Sequence, residues 1–212
     1  MERLPHWELT EVISRLGHQV RNPLATIQSS IQLVQLLTRP EGEVADYLVG
    51  ALQEVARIDR LLRDLQRLVR LAPGSPIRAG IRDLVERAVA RCPTPAAAVR
   101  LEGPDLIEVQ LAVDLLQVAL DELLQRATTV TPAGYDVVIR WGGDESGPIW
   151  VEVDDGGPAD PSGSLRPILR TWPGSGLGPF LAERACTLLG GHLEWEAVQP
   201  RGHRFRIVLQ RG

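Results

Sequence analysis

Apolar residues recur every three or four positions along residues 9–69, and this spacing constrains the fold more than any other feature of the chain. Such a period is typical of amphipathic helices, which bury one stripe of side chains. The first stripe consists of Leu9, Ile13, Leu16, Val20, Leu24, Ile27, Ile31 and Val34. The second stripe, after the turn residues 38–42, consists of Val44, Leu48, Leu52, Val55, Ile58, Leu62, Leu65 and Val69. The sequence therefore predicts a helical hairpin.

Two helices that each carry one apolar stripe cannot bury both stripes well by themselves. Two such hairpins can do so together as a four-helix bundle, so we predict a homodimer. The step of four residues from Val20 to Leu24 interrupts the spacing and brackets Pro23, which lacks the backbone N–H that a helix interior uses. We expect a local bend of the first helix near residue 20.

The sequence pattern changes after the second stripe, and this change indicates a second domain. Residues 72–76 are rich in proline and glycine and are interpreted as a linker between residues 1–71 and residues 77–212. Shorter predicted helices and strands follow, and their order suits a two-layer α/β sandwich. The predicted helices are 81–91, 113–128 and 177–189, and the predicted strands are 99–101, 135–141, 149–153, 192–197 and 205–209.

Composition excludes several classes of protein. The formal net charge of −4 argues against a nucleic-acid binder, which would carry an excess of basic residues. No apolar run reaches the roughly 18 residues that cross a bilayer, so we expect a cytoplasmic chain without membrane contact. Cys92 and Cys186 lack metal-binding spacing, so no metal site is predicted and both are expected to be buried as small hydrophobic residues.

One histidine is placed away from the apolar stripe. His18 lies two residues from both Leu16 and Val20, which is about 200° around a helix, so its ring is expected to face solvent. Asn22 lies one turn further along the same polar face. Position alone favours an ordinary surface role for such a histidine, and the residues around it change this interpretation.

The segment Leu16–Leu24 (LGHQVRNPL) resembles the phosphoacceptor box of histidine kinases, usually written H-E-x-x-N-P-L. The resemblance implies that His18 accepts a phosphoryl group and passes it to an aspartate of a response regulator. It also implies that Asn22 helps to orient water when the partner is dephosphorylated. Gln19 replaces the family's acidic residue, and its amide can hold the imidazole by a hydrogen bond but cannot take its proton.

Three segments of the second domain resemble the ATP-binding half of these kinases, the Bergerat-type fold that gyrase, Hsp90 and MutL proteins share. In the segment 151–159 (VEVDDGGPA), Asp155 stands where the family's carboxylate reads the adenine amino group. Gly157 retains the next glycine of this box, and Ala159 replaces the last one. The lid segment that follows leads into an intact glycine-rich box, which implies backbone contacts with phosphates. This box consists of Gly174, Gly176 and Gly178.

The third segment, Leu120–Ala127 (LDELLQRA), resembles the box ending in N-A, whose asparagine holds Mg²⁺ against the ATP phosphates. Arg126 stands at that position, and a cation repels a metal ion, so ATP is a possible cofactor while Mg²⁺ is not favoured. Two interpretations of Arg126 stay open. It forms a surface ion pair with Glu122, or it contacts nucleotide phosphates in place of the metal. The lid lacks the lysine that is usual in the family, and Trp172 stands at about that position. Trp172 could equally be an ordinary packing residue.

These resemblances predict a histidine kinase core, a phosphotransferase of two-component signal transduction that works through His18. ATP-dependent autophosphorylation stays open because of Gln19, Arg126 and Ala159. One alternative is a degenerate phosphotransferase or phosphatase of the same phosphorelay type with impaired ATP binding. Another is a non-catalytic dimer that regulates a receiver domain or a kinase by docking to it.

Overall fold

The computed structural model describes residues 6–92, 97–143, 147–158, 172–198 and 200–210. The chain divides into two compact units, Met1–Arg70 and Leu71–Gly212, next to the boundary expected at residue 71. Ala159 and the lid residues 165–171 lie outside the described residues.

The first unit is the helical hairpin that the apolar spacing predicts. Helix α1 (His6–Thr38) and helix α2 (Glu43–Arg70) are joined by a short turn. Helix α1 continues through Pro23 without interruption, and the bend expected there stays a prediction. None of the helices in the described part of the chain combines the length and the apolar character that crossing a membrane requires.

A single hairpin buries only part of its apolar surface. Leu24 of α1 and Val55 and Val69 of α2 are buried. Other apolar side chains of both helices are exposed to solvent, which is costly for a monomer. They include Val12, Leu16, Ile27, Val34, Leu37, Tyr47 and Ile58.

The second unit contains helices and strands in mixed order. Its described helices are α3 (Ile81–Arg91), α4 (Val113–Val130) and α5 (Gly178–Leu188). Its described strands are β1 (Ile77–Gly80), β2 (Ala98–Glu102), β3 (Glu108–Leu111), β4 (Asp136–Gly143), β5 (Ile149–Asp154), β6 (His192–Ala197) and β7 (His203–Leu209).

Five of these strands form one sheet in the order β2-β4-β5-β7-β6. The β2–β4 pair is parallel and the other neighbours are antiparallel. Alternate residues such as Ile139, Val151 and Ile207 point into a core shared with α3, α4 and α5. The opposite face carries charged side chains, among them Arg204 paired with Asp154 at 2.8 Å. The predicted two-layer α/β sandwich is therefore confirmed.

Strands β1 and β3 were not predicted from the sequence. Each has four residues, and they pair only with each other in a two-stranded antiparallel sheet. Four residues are too few for a period of two to stand out from chance, and β1 does not alternate between buried and exposed residues. The strand predicted at residues 205–209 begins two residues earlier, at His203.

The two cysteines differ in burial. Cys186 lies in the core, as expected, and burial raises the pKa of its thiol to about 12. Cys92 is only partly buried, and its Sγ lies 3.5 Å from the Thr128 hydroxyl. The expectation that both cysteines are buried is therefore correct for Cys186 alone.

Gly202, just before β7, offers a test of this packing. Its φ of +99° is one that L side chains rarely adopt, and a Cβ there would collide with the backbone carbonyl of Asp155. Gly202→Ala should lower the free energy of unfolding by about 2 kcal/mol or more, measured by urea denaturation. The matched control is Gly80→Ala, where φ is −77° and the effect should stay within about 1 kcal/mol. Equal losses in the two variants would contradict this account.

Candidate functional site

His18 lies on the solvent-facing side of α1, where the helical period places it. Its side chain and those of Gln19 and Asn22 are exposed, and Asn22 follows one turn later on the same face. An exposed imidazole is accessible to a partner protein. The structure therefore brings the three predicted phosphoacceptor residues together on one surface.

Contacts between the two helices fix the position of this surface. Gly17, next to His18, is buried beneath the Gln66 side chain of α2, and any Cβ at this position would collide with that amide. Gln66 donates a hydrogen bond to the Ser14 carbonyl at 3.3 Å and accepts one from Arg21 at 3.2 Å. Because glycine allows this close approach, α1 and α2 are locked in register directly behind His18.

A second contact reinforces this register one turn later. Arg21 Nε donates a hydrogen bond to Asp59 Oδ1 at 3.0 Å, and both side chains are about one-third exposed. Exposed pairs of this kind contribute only about 0–1 kcal/mol, so the contact orients the helices more than it stabilises them. Within the described residues, no carboxylate pairs with His18.

A buried carboxylate dominates the second predicted site. Asp155 directly follows β5, and its side chain has no exposed surface. Its Oδ1 accepts hydrogen bonds from the backbone N–H of Gly157 at 2.9 Å and of His203 at 3.2 Å. Its own N–H donates to the His203 carbonyl at 2.9 Å. Asp155 therefore ties the end of β5 to the start of β7.

The guanidinium of Arg126 reaches this carboxylate from α4. Arg126 Nε lies 3.3 Å from Asp155 Oδ2, and only 2% of the arginine side chain is exposed. The N–H is not aligned for a hydrogen bond, so the attraction between these two atoms is coulombic. Burial lowers the pKa of Arg126 and the nearby carboxylate opposes this change, and an arginine stays protonated under such conditions.

Aromatic rings enclose the guanidinium. The central carbon of the Arg126 guanidinium lies 5.1 Å from the centre of the Trp172 ring and 5.5 Å from that of Phe205. The two rings meet edge to face at 5.5 Å, and Trp172 is only 5% exposed. Arg126 Nη2 also lies 3.5 Å from Nδ1 of the buried His203. The arginine is thus part of the core of this domain.

No sequence motif assigns His203 to this cluster. The signal was the alternation in β7, where His203 shares the inward-facing side with Phe205, Ile207 and Leu209. A period of two predicts which side of a strand a residue occupies. It does not predict which charged residue from another element lies opposite.

The predicted nucleotide residues are only partly brought together. Gly157 lies beside Asp155, and Gly178 lies beneath Trp172 and Glu122, since a Cβ at Gly178 would come within 2.7 Å of Glu122 Oε2. The other two predicted glycines form the turn before α5, with φ values of +75° and +79° that explain the choice of glycine. They are Gly174 and Gly176.

Both interpretations of Arg126 need correction. Glu122 and Arg126 are 8% and 2% exposed, so they cannot form a surface ion pair. Nor does the guanidinium face solvent, where a phosphate would meet it, because Asp155, Trp172 and Phe205 surround it. A buried cation is stable only with a countercharge and favourable ring contacts, and this requirement draws the side chain inward.

The residues present do not fit ATP in this arrangement. One oxygen of Asp155 accepts two backbone hydrogen bonds, and the other faces Arg126 instead of an adenine amino group. Trp172 covers the glycine at the start of α5. Among the described residues, no group of three or more His, Cys, Asp or Glu side chains is arranged to hold a metal ion.

Comparison with known proteins identifies the hairpin. Residues 8–74 match the family of His Kinase A (phospho-acceptor) domains. The chain is 25% identical to signal transduction histidine-protein kinase/phosphatase MprB of Mycolicibacterium smegmatis, over 91% of this chain and 43% of that protein. It is 26% identical to sensory histidine kinase/phosphatase NtrB of Rhodobacter capsulatus, over 92% of this chain and 60% of that protein. The chain therefore spans about half the length of these curated relatives.

Solved structures share the fold. Full-length ShkA, crystallised in complex with AMPPNP, matches with a TM-score of 0.70 and 19% identity, over 95% of this chain and 46% of that one. The Acinetobacter baumannii histidine kinase AdeS matches with a TM-score of 0.63 and 17% identity, over 92% of this chain and 98% of that one. Residues 8–74 thus match the His Kinase A phospho-acceptor family, and the whole chain is similar to histidine kinase cores in which an α/β domain follows such a hairpin.

Proposed function

We propose that this chain relays phosphoryl groups in two-component signal transduction, through exchange between His18 and the aspartate of a cytoplasmic response-regulator receiver domain. The observation that carries the proposal is the outward His18 in a His Kinase A hairpin, with Gln19 and Asn22 on the same surface. The relatives named as kinase/phosphatase proteins support it.

The reaction uses the imidazole as a nucleophile. A neutral ring nitrogen of His18 attacks the phosphorus of the partner's aspartyl phosphate, and the P–O bond breaks as the carboxylate leaves. The new N–P bond leaves a proton on the other ring nitrogen, which passes to water. Gln19 accepts a hydrogen bond from the ring and holds its tautomer, but it provides no base. The reverse reaction returns the phosphoryl group to the receiver.

Asn22 would serve a different reaction, the hydrolysis of the aspartyl phosphate on the receiver. Its exposed amide lies one turn from His18 and offers both a donor and an acceptor. Such a group can hold a water molecule in line with the phosphorus while the imidazole itself stays free. Residues of the same surface would therefore support phosphatase activity.

The donor that we favour is the phosphorylated receiver. Gln19 leaves the imidazole without the carboxylate base that the family normally supplies, and the residues around Asp155 do not fit a nucleotide. Transfer from an aspartyl phosphate needs no nucleotide at the α/β domain, so the change around Asp155 does not affect it. Autophosphorylation with ATP should therefore be the slower reaction.

We further propose that two hairpins pair as a homodimeric four-helix bundle. On α1, the exposed Leu16, Ile27 and Val34 lie about 60–80° to one side of the buried Leu24. His18 lies about 120° to the other side. A partner hairpin can therefore cover the apolar flank without covering the phosphoacceptor.

The first test follows label from a receiver to the histidine. With a receiver domain phosphorylated by labelled acetyl phosphate, the chain should acquire acid-labile label, whereas His18→Ala should acquire none. The control is His192→Ala, which removes a half-exposed histidine on β6 and should label normally. Labelling from γ-labelled ATP and Mg²⁺ should be at least about 10-fold slower. Label on His18→Ala equal to that on wild type would overturn the proposal. Absence of label on the wild-type chain would also overturn it, and this is the result expected of a dimer that only docks.

Asn22→Ala should separate dephosphorylation from phosphoryl exchange. Loss of the amide removes the group that orients water, so release of phosphate from the labelled receiver should slow about 10-fold or more. Labelling of His18 should stay close to wild type. Ser29→Ala, an exposed substitution on the same helix, serves as the control. Unchanged phosphate release in Asn22→Ala would contradict the role proposed for this residue.

The dimer can be tested by placing charge on the apolar flank. The double variant Ile27→Glu/Val34→Glu should be monomeric, because two buried carboxylates without partners would oppose association. Analytical ultracentrifugation should give 23.3 kDa for this variant and twice that mass for wild type. Ser29→Glu adds charge away from the flank and should stay dimeric. A monomeric wild-type chain at micromolar concentration would refute the proposal.

A further inference from the structure

The Arg126–Asp155 pair is the most enclosed charged group described in the α/β domain. The side chains are 2% and 0% exposed, and each is held by a different set of neighbours. Backbone N–H groups of Gly157 and His203 hold one carboxylate oxygen, while Trp172 and Phe205 pack against the guanidinium. The pair joins α4 to the ends of β5 and β7.

We propose that Arg126 and Trp172 fill the place of a nucleotide base, so that Asp155 pairs with the chain's own guanidinium and the α/β domain does not bind ATP. In this arrangement the carboxylate has become a structural residue. The domain keeps the fold of a nucleotide-binding domain and is stabilised by an internal cation instead of a ligand.

Asp155 already has a countercharge within the domain. A buried carboxylate without a countercharge is costly, and Arg126 supplies the countercharge at 3.3 Å. An adenine amino group is neutral and would replace that cation with a weaker partner. Binding of a base at Asp155 would therefore have to compensate for a lost ion pair.

Buried side chains already fill the space around Asp155. If a base displaced Arg126, the guanidinium would have to leave its position against Trp172 and Phe205, which are 5% and 2% exposed. Trp172 also lies over Gly178, at the start of α5. Arg126 and Trp172 thus occupy the space beside the Asp155 carboxylate and over Gly178.

The Arg126–Asp155 pair and His18 lie in different domains and are tested by different measurements. Label transfer from a receiver tests the phosphoacceptor, whereas nucleotide binding and thermal unfolding test the Arg126–Asp155 pair. Failure of one proposal therefore leaves the other measurable in the same full-length chain.

Calorimetric titration with ATP tests binding directly. We expect no saturable heat with the wild-type chain, with Mg²⁺ or with EDTA, which corresponds to a Kd weaker than about 1 mM. AMPPNP should behave in the same way. Saturable binding of either nucleotide to the wild-type chain would overturn the inference.

Thermal unfolding tests the structural role of the pair. Asp155→Asn keeps an oxygen that accepts from Gly157 and His203 and removes only the negative charge, so the Tm should fall by about 10 °C. Arg126→Met should also lower the Tm. The double variant Arg126→Met/Asp155→Asn should recover most of either loss, because no unpaired charge then stays buried.

The matched control is Asp136→Asn, which breaks a more exposed ion pair with Arg100 in the same domain and should change the Tm by no more than about 2 °C. Two outcomes would overturn the inference. One is an Asp155→Asn variant as stable as wild type, as expected of a residue kept for a ligand. The other is additive losses in the double variant, since these would show that the two charges do not depend on each other.

Discussion

The Asp155 carboxylate lies inside the α/β domain, where a negative charge is stable only if its surroundings replace the water that it has lost. Two backbone N–H groups and the guanidinium of Arg126 meet this need. These partners belong to the turn after β5, to β7 and to α4, so one charge fixes the relative position of three elements. The packing of Trp172 against Phe205 follows, because the rings enclose the guanidinium.

The helical hairpin holds the His18 ring in solvent, on two helices that pack against each other behind it. Gly17 allows Gln66 to pack directly behind His18, and Arg21 reaches across to α2 from the next turn. The imidazole stays exposed on this support and is accessible to a partner. The exposed apolar flank lies on the other side of α1, so association and phosphoryl exchange need not compete.

The two sites show how exposure decides the use of a charged or nucleophilic residue. His18 stands in solvent, where a neutral nitrogen can attack phosphorus. Arg126 carries a charge that is just as capable of binding phosphate, but it is buried and neutralised. A residue that resembles part of a nucleotide site by its position in the chain thus becomes part of the core. The fold of a nucleotide-binding domain does not by itself ensure a nucleotide site.

Periodicity in the sequence determined the hairpin, the outward direction of His18 and the main helices and strands of the sandwich, because a helix or strand repeats its exposure at short, regular intervals. The same local rules could not detect β1, which has four residues, or the burial of Arg126. Whether Arg126 faces solvent or Asp155 depends on residues 29 positions apart that only the folded chain brings together. The tertiary structure alone decided the partners of the buried charges, since burial and countercharge arise from contacts between distant elements.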